Sequence, residues 1–206
     1  SKPLGMTPRA SERYLVTGAA GFIGGHLCRF LRARGHRVRA LIHRPATGPW
    51  DESLVCDLGT TPLPSGLMDG IDGVYHLAGI AHVQDAAAIP DDLYYRVNCD
   101  ATATLLQAAT DARVRGFVYF SSVKAVADPG EQCVDETWKS RPDDAYGRSK
   151  RDAEEHVLAV GRRKGIHVCN LRPCLVYGPG VKGNLSSMIS AIDLGLFPSL
   201  PEFGNR

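Results

Sequence analysis

The segment Tyr146-Gly147-Arg148-Ser149-Lys150 places a phenol and an ammonium four residues apart, hence on one face of a helix. A free tyrosine, with a pKa of about 10, is a poor acid–base catalyst near neutrality, and a neighbouring cation favours its phenolate. Ser121 and Ser122 close an apolar, strand-like run, so two hydroxyls emerge at a strand end. Alone, the pair is a spacing that composition also produces, and the serines read as turn or cap residues. A third feature changes their meaning. In Thr17-Gly18-Ala19-Ala20-Gly21-Phe22-Ile23-Gly24, three glycines at three-residue spacing join an apolar strand to an amphipathic helix. Glycine tolerates positive φ and lets backbone approach a ligand, and the helix that follows offers free N–H groups to a pyrophosphate. A hydroxyl, a phenol and an ammonium beside a bound nicotinamide would make a site for carbonyl/alcohol redox chemistry.

The elements that must position these groups alternate along the chain. Strand-like runs occupy 14–17, 37–42, 54–56, 74–77, 117–121 and 168–171, and helical patterns occupy 22–34, 91–112 and 145–164. The first helix carries Ile23, Leu27, Phe30 and Leu31 on one face and is closed by Gly35. This alternation predicts an α/β fold with a doubly wound parallel sheet, whose ligands collect at the carboxyl ends of the strands.

Composition narrows the function classes. The 206 residues are 44% hydrophobic and 22% charged, enough for one domain with a sizeable core. The net charge of +2 and the dispersed arginines give no support to nucleic-acid binding, and Arg162-Arg163-Lys164 reads as a solvated helix end. No apolar run is long enough to cross a bilayer and no signal-peptide core opens the chain, which predicts a cytoplasmic location and no membrane partner. The six cysteines stand singly without metal-ligand spacing, so no metal site is expected and the thiols are expected to be reduced core residues.

Taken in order, Thr17 to Gly24, Cys56-Asp57-Leu58, His76-Leu77-Ala78-Gly79, Val97-Asn98, Ser121-Ser122, Tyr146 to Lys150 and Leu171 to Pro179 resemble the extended short-chain dehydrogenase/reductase family, in particular its NAD(P)-dependent nucleotide-sugar epimerases, dehydratases and ketoreductases. The resemblance implies a Rossmann-type sheet followed by a small substrate domain that is largely absent from these residues. It implies Tyr146 as general acid/base, Ser122 orienting a sugar oxygen, and Lys150 holding the nicotinamide ribose and depressing the tyrosine pKa. By the same resemblance, Gly18, Gly21, Phe22, Ile23 and Gly24 would line a pyrophosphate, Asp57 and Leu58 would border adenine, and Ala78, Gly79 and Asn98 would line the cofactor channel. It also implies a homodimer formed through helices 91–112 and 145–164.

Departures from the family pattern refine these expectations. Val123-Lys124 replaces the Asp-Glu pair that family dehydratases carry after the serine or threonine, which argues against dehydration. The second strand ends at Ile42, followed by His43 and Arg44, without the acidic residue that receives a ribose 2′-hydroxyl; an arginine there suits a 2′-phosphate, so NADP(H) is expected over NAD(H). His82 is left outside the site as a loop histidine. The expected organisation is a disordered or tag-derived 1–12, a dinucleotide-binding domain over 13–180, and the truncated beginning of a substrate region over 181–206. Two classes of function remain open: an epimerase or 4-ketoreductase acting at C4 of a nucleotide-linked sugar, and a cofactor-binding or sensing module without turnover. Reduction of another small carbonyl compound is a further alternative.

Overall fold

Six segments form one parallel sheet, and the central strands, rich in Val, Leu, Ile, Tyr and Phe, alternate their side chains between two helix-covered faces, whereas the edge strands are more exposed. The computed structural model describes residues 11–80, 89–181 and 184–196; His82 and the first ten residues lie outside them. The strands are β1 (Arg13–Thr17), β2 (Arg37–Ile42), β3 (Glu52–Val55), β4 (Gly73–His76), β5 (Gly116–Phe120) and β6 (His167–Leu171), in the spatial order β3-β2-β1-β4-β5-β6. Chain direction through the sheet reverses between β1 and β4. That switch opens a crevice beyond their carboxyl ends.

Helix α1 (Phe22–Ala33) packs one face through Cys28 and Leu31 against Val16, Val38, Ala40 and Ile42. The other face is covered by α3 (Ala101–Asp111) and α4 (Ala145–Lys164), whose Leu105, Leu106, Ala153 and Val157 meet Leu15, Leu41, Val74 and Phe117. Neighbours in sequence therefore take opposite faces: Leu15 joins one core and Val16 the other. α1 ends at Gly35, where φ of +83° lets the amides of Gly35 and His36 bond back to the carbonyls of Arg32 and Leu31.

The helix predicted over 91–112 is not continuous. A short α2 (Asp91–Tyr94) leads into a π-helical turn (Tyr95–Asp100) before α3 begins. The Asn98 carbonyl inside this wide turn accepts from Thr102 Oγ1 at 2.7 Å and Tyr119 Oη at 3.3 Å. A period-four apolar pattern (Leu93, Val97, Ala101, Leu105) does not reveal one extra residue per turn.

The chain divides into two compact units, Ser1–Cys174 and Leu175–Arg206. The second contains α5 (Asn184–Asp193), closed by Gly195 with φ of +68° and a Leu196 amide bonded to the Ala191 carbonyl. Among the described residues no helix is long and apolar enough to cross a membrane, and no group of three or more metal-ligating side chains gathers. One cysteine expectation fails. Cys28 and Cys56 are buried, but Cys133, Cys169 and Cys174 are exposed, Cys169 because β6 is an edge strand with one open face.

Candidate active site

The glycine turn is shaped by contacts that leave no room for side chains. Gly18 has φ of +66°, and a Cβ there would stand 2.8 Å from the Ala78 amide nitrogen. A Cβ on Gly24 would collide with the Gly18 carbonyl oxygen. Gly21 caps α1 in extended conformation and offers no side chain to its first amides. The first turn of a twelve-residue helix thus presents uncapped N–H groups beside a close-packed loop, which fits an anionic pyrophosphate.

A buried polar chain holds this turn against β4. Thr17 Oγ1 lies 2.6 Å from His76 Nδ1 and accepts from the amides of Leu77 and Ala78 at 3.1 and 3.0 Å. His76 Nε2 lies 2.9 Å from Thr102 Oγ1, which donates its own proton to the Asn98 carbonyl. Only one assignment satisfies every member: His76 is neutral with its proton on Nε2, and the Thr17 hydroxyl donates to Nδ1. Burial, helped by the Lys150 charge, pushes the His76 pKa down to about 3, consistent with that neutral form. Sequence reasoning quotes Thr17 and His76 only as the opening residues of two motifs, with no role for their side chains, and does not reach Thr102. Single polar residues inside apolar elements leave no periodic mark.

Asn98 extends the chain to the catalytic candidates. Its Oδ1 accepts from the Ile80 amide at 2.8 Å, and its Nδ2 donates to the Ile80 carbonyl and to Ser149 Oγ at 3.1 and 3.2 Å. Ser149 donates to the Tyr146 carbonyl at 2.8 Å. One asparagine therefore clamps the loop after β4 to the first turns of α4. That helix starts at Asp144, whose carboxylate accepts from the Gly147 amide at 2.7 Å.

Tyr146 and Lys150 are both buried on α4. Lys150 Nζ donates to the Phe120 carbonyl at 3.0 Å and sits 4.8 Å from the Tyr119 ring centroid, a cation held by a carbonyl and a π face. Burial lowers its pKa to about 8 against an opposing pull from Glu154. Ser122 caps a short 3₁₀ turn (Val123–Ala125), accepting from the Lys124 amide, and its side chain also hydrogen-bonds the Tyr146 phenol. Ser121 differs: its buried hydroxyl has no hydrogen-bond partner among the described residues. The expected depression of the tyrosine pKa is not found. Burial raises Tyr146 above the ordinary phenol value, and the lowering influence comes from Ser122, not Lys150, whose ammonium is directed at Phe120 and Tyr119.

The glycine turn and the loop after β4 open onto one cleft of about 570 Å³ beyond the ends of β1, β2, β3 and β4; Ser122, Tyr146 and Lys150 do not line it but stand behind its wall at Gly79 and Ile80. Of the expected residues, Gly18, Gly21, Asp57, Leu58, Ala78 and Gly79 line it. Phe22 and Ile23 are half-buried in the first turn of α1, and Gly24 is buried behind the glycine turn. Asn98 lies beneath Ile80, which lines the cleft and packs beside Tyr146. A Cβ on Gly79 would stand 3.3 Å from Lys150 Nζ, so the ammonium borders the cleft end. Arg44 is exposed and does not line the cleft; His43 does, and its Nε2 pairs with Asp57 at 3.3 Å.

Residues 14–206 match the profile of the NAD dependent epimerase/dehydratase family. The chain belongs to that family. Among its relatives, a UDP-glucose 4-epimerase of Vibrio cholerae is 31% identical over 188 residues, covering 88% of this chain and 57% of the relative. A 3 beta-hydroxysteroid dehydrogenase/Delta 5→4-isomerase of Mycobacterium tuberculosis is 36% identical over 178 residues, covering 82% and 48%. Among solved structures, MoeE5 in complex with UDP-glucose and NAD superimposes with a TM-score of 0.77 at 33% identity, covering 87% of this chain and 60% of that one. The chain thus spans about half the length of the curated epimerase/dehydratase relatives it matches.

Proposed function

We propose that this chain carries the dinucleotide-binding and acid–base portion of an NAD(P)-dependent epimerase or 4-ketoreductase acting at C4 of a nucleotide-linked sugar. The observation that carries the reading is the Ser122–Tyr146 hydrogen bond, with Tyr146 packed against Ile80 and Lys150 set beside Gly79, two residues of the cleft wall. A nicotinamide bound there would accept hydride from a carbinol carbon or return it to the carbonyl. Ser122 and Tyr146 would hold the substrate oxygen between them, and Tyr146 would take the hydroxyl proton on oxidation and give it back on reduction. Lys150 would bind ribose hydroxyls, and the Ser122 hydrogen bond would oppose the upward push of burial on the phenol. Gly18, Gly21 and the first amides of α1 would hold the pyrophosphate, with Asp57 and Leu58 toward adenine.

Support for the sugar reading comes from the Vibrio cholerae relative and from MoeE5, whose complex holds UDP-glucose and NAD. The test supplies UDP- or dTDP-sugars to the full protein and follows C4 inversion and NADPH oxidation separately. Absence of both with Tyr146 intact overturns the proposal. The 36% identity to hydroxysteroid dehydrogenases favours a second reading, oxidation of a secondary alcohol on a non-sugar substrate. Turnover of a 3β-hydroxysteroid without turnover of any sugar nucleotide would select it.

NADP(H) preference is the finer part of the proposal. It rests on Ile42 ending β2 without a following carboxylate and on Arg44 lying exposed just beyond. Parallel titration with NADPH and NADH decides it, and tighter NADH binding removes it. A homodimer through the helices of 91–112 and 145–164, in the cytoplasm, completes the proposal; sedimentation tests the oligomer.

A further inference from the structure

Glu154 lies one helical turn beyond Lys150 on α4, so the two side chains share a face. The glutamate is 2% exposed, which makes it a buried carboxylate inside a protein core. Its partner is Arg172, just after β6, which donates from Nε to Oε1 at 2.8 Å and from Nη2 to Oε2 at 2.6 Å. That is the two-pronged geometry that makes arginine–carboxylate pairs strong. Arg151 reaches the same carboxylate only at 3.9 Å and is engaged at 2.9 Å by Glu155. Asn170 Nδ2 anchors the Glu154 carbonyl from β6.

The arrangement sets buried Lys150 and buried Glu154 on one helix, with half-buried Arg172 gripping the carboxylate and Arg151, drawn toward Glu155, at its margin. Among the described residues, no carboxylate makes an ion pair with Lys150, and Glu154 is the charged group that acts on it. His76, from β4, is neutral; Tyr119, from β5, offers its ring; Asn98 and Gly79 are uncharged; Tyr146, on its own helix, is a protonated phenol. Lys150 therefore has no direct carboxylate partner. Its ammonium is supported at a distance by a carboxylate that a second cation already occupies.

We propose that the Glu154–Arg172 pair is a positioning device for charge on Lys150: Glu154 keeps the ammonium protonated in the buried site, and Arg172 limits how firmly it does so. A lysine without Glu154 would lose its proton more readily, and a lysine facing an unshared Glu154 would hold it more tightly. The pull of Glu154 against the burial of Lys150 agrees with this balance. The inference rests on the proposed role of Lys150 only for its consequence in turnover; the charge balance is a property of the free protein.

The test measures Lys150 titration directly by NMR of protein labelled at lysine Cε, with Lys150→Met identifying the resonance. Glu154→Gln should lower the Lys150 midpoint, and Arg172→Gln should raise it, each by roughly half a pH unit or more. Both substitutions break the same bidentate pair, so a purely structural role moves the midpoint in the same direction in both, or in neither, and either result overturns the proposal. Should Glu154→Gln fail to fold, Arg172→Gln decides alone: a rise supports the proposal, and a fall or no change overturns it. Neither substrate nor cofactor is needed, so this result stands apart from success or failure of the enzymatic reading.

Discussion

The two ends of the candidate site are built from different materials. At the β1 end the glycine turn is backbone, with Gly18 packed so closely against the Ala78 backbone that a methyl group has no place. At the β5–α4 end, behind the cleft wall at Gly79 and Ile80, the groups are side chains: Ser122, Tyr146 and Lys150, each held by a cap, a carbonyl or an aromatic ring. A surface made of backbone binds by shape and tolerates few sequences. A surface made of side chains can be disarmed by one atom without disturbing the fold.

Removing the phenol oxygen should separate the two ends most sharply. Tyr146→Phe is expected to lower turnover by about 10²–10⁴-fold, the usual worth of a positioned acid–base group, while the cofactor dissociation constant stays within about twofold. Equal loss of both would show that the ends are not independent. Gly18→Ala should do the reverse: the added Cβ meets the Ala78 amide at a positive-φ position, so cofactor affinity, read by nicotinamide fluorescence, should fall on the order of tenfold or more.

Between the ends runs the Thr17–His76–Thr102–Asn98 chain, and two milder perturbations ask whether it joins them. Thr17→Val leaves the Ala78 amide without its acceptor and His76 Nδ1 without its donor, while the Leu77 amide keeps the Thr17 carbonyl at 3.3 Å, and should cost about 1–3 kcal/mol in urea denaturation. The second perturbation is pH. Native His76, at about 3, refuses the proton that the unfolded chain accepts near 6.5, so its contribution to stability is full above 6.5 and declines as pH falls from 6.5 toward 3. In the His76→Gln variant the urea midpoint should vary less with pH over that window; an unchanged slope would remove His76 from the account.

The same division explains what sequence could and could not show. Alternating apolar runs and helical faces foretold the six strands and the α1 and α4 helices, because burial on both faces of a sheet leaves a periodic mark. The glycine turn and the Tyr146/Lys150 spacing were legible because local geometry demands particular residues at fixed offsets. Hydrogen bonds between distant residues carry no such offset: Thr17 meets His76, and Glu154 meets Arg172, only after the sheet has assembled. Arg44 shows the converse case, a residue with suitable chemistry whose place on the cleft wall is taken by His43. The rise in the Tyr146 pKa was likewise invisible, since spacing to Lys150 says nothing of how deeply the phenol is buried.

The wide turn at Tyr95–Asp100 constrains how this protein can vary. It aims the Asn98 side chain at Ile80 and Ser149 while leaving its carbonyl open to Thr102 and Tyr119. Deleting one residue there would rewind the spiral and rotate everything downstream by about 100°, turning Leu105 and Leu106 out of the core. Substitutions near Asn98 are therefore negotiable in a way that insertions and deletions are not: here the tally of residues matters more than most of their identities.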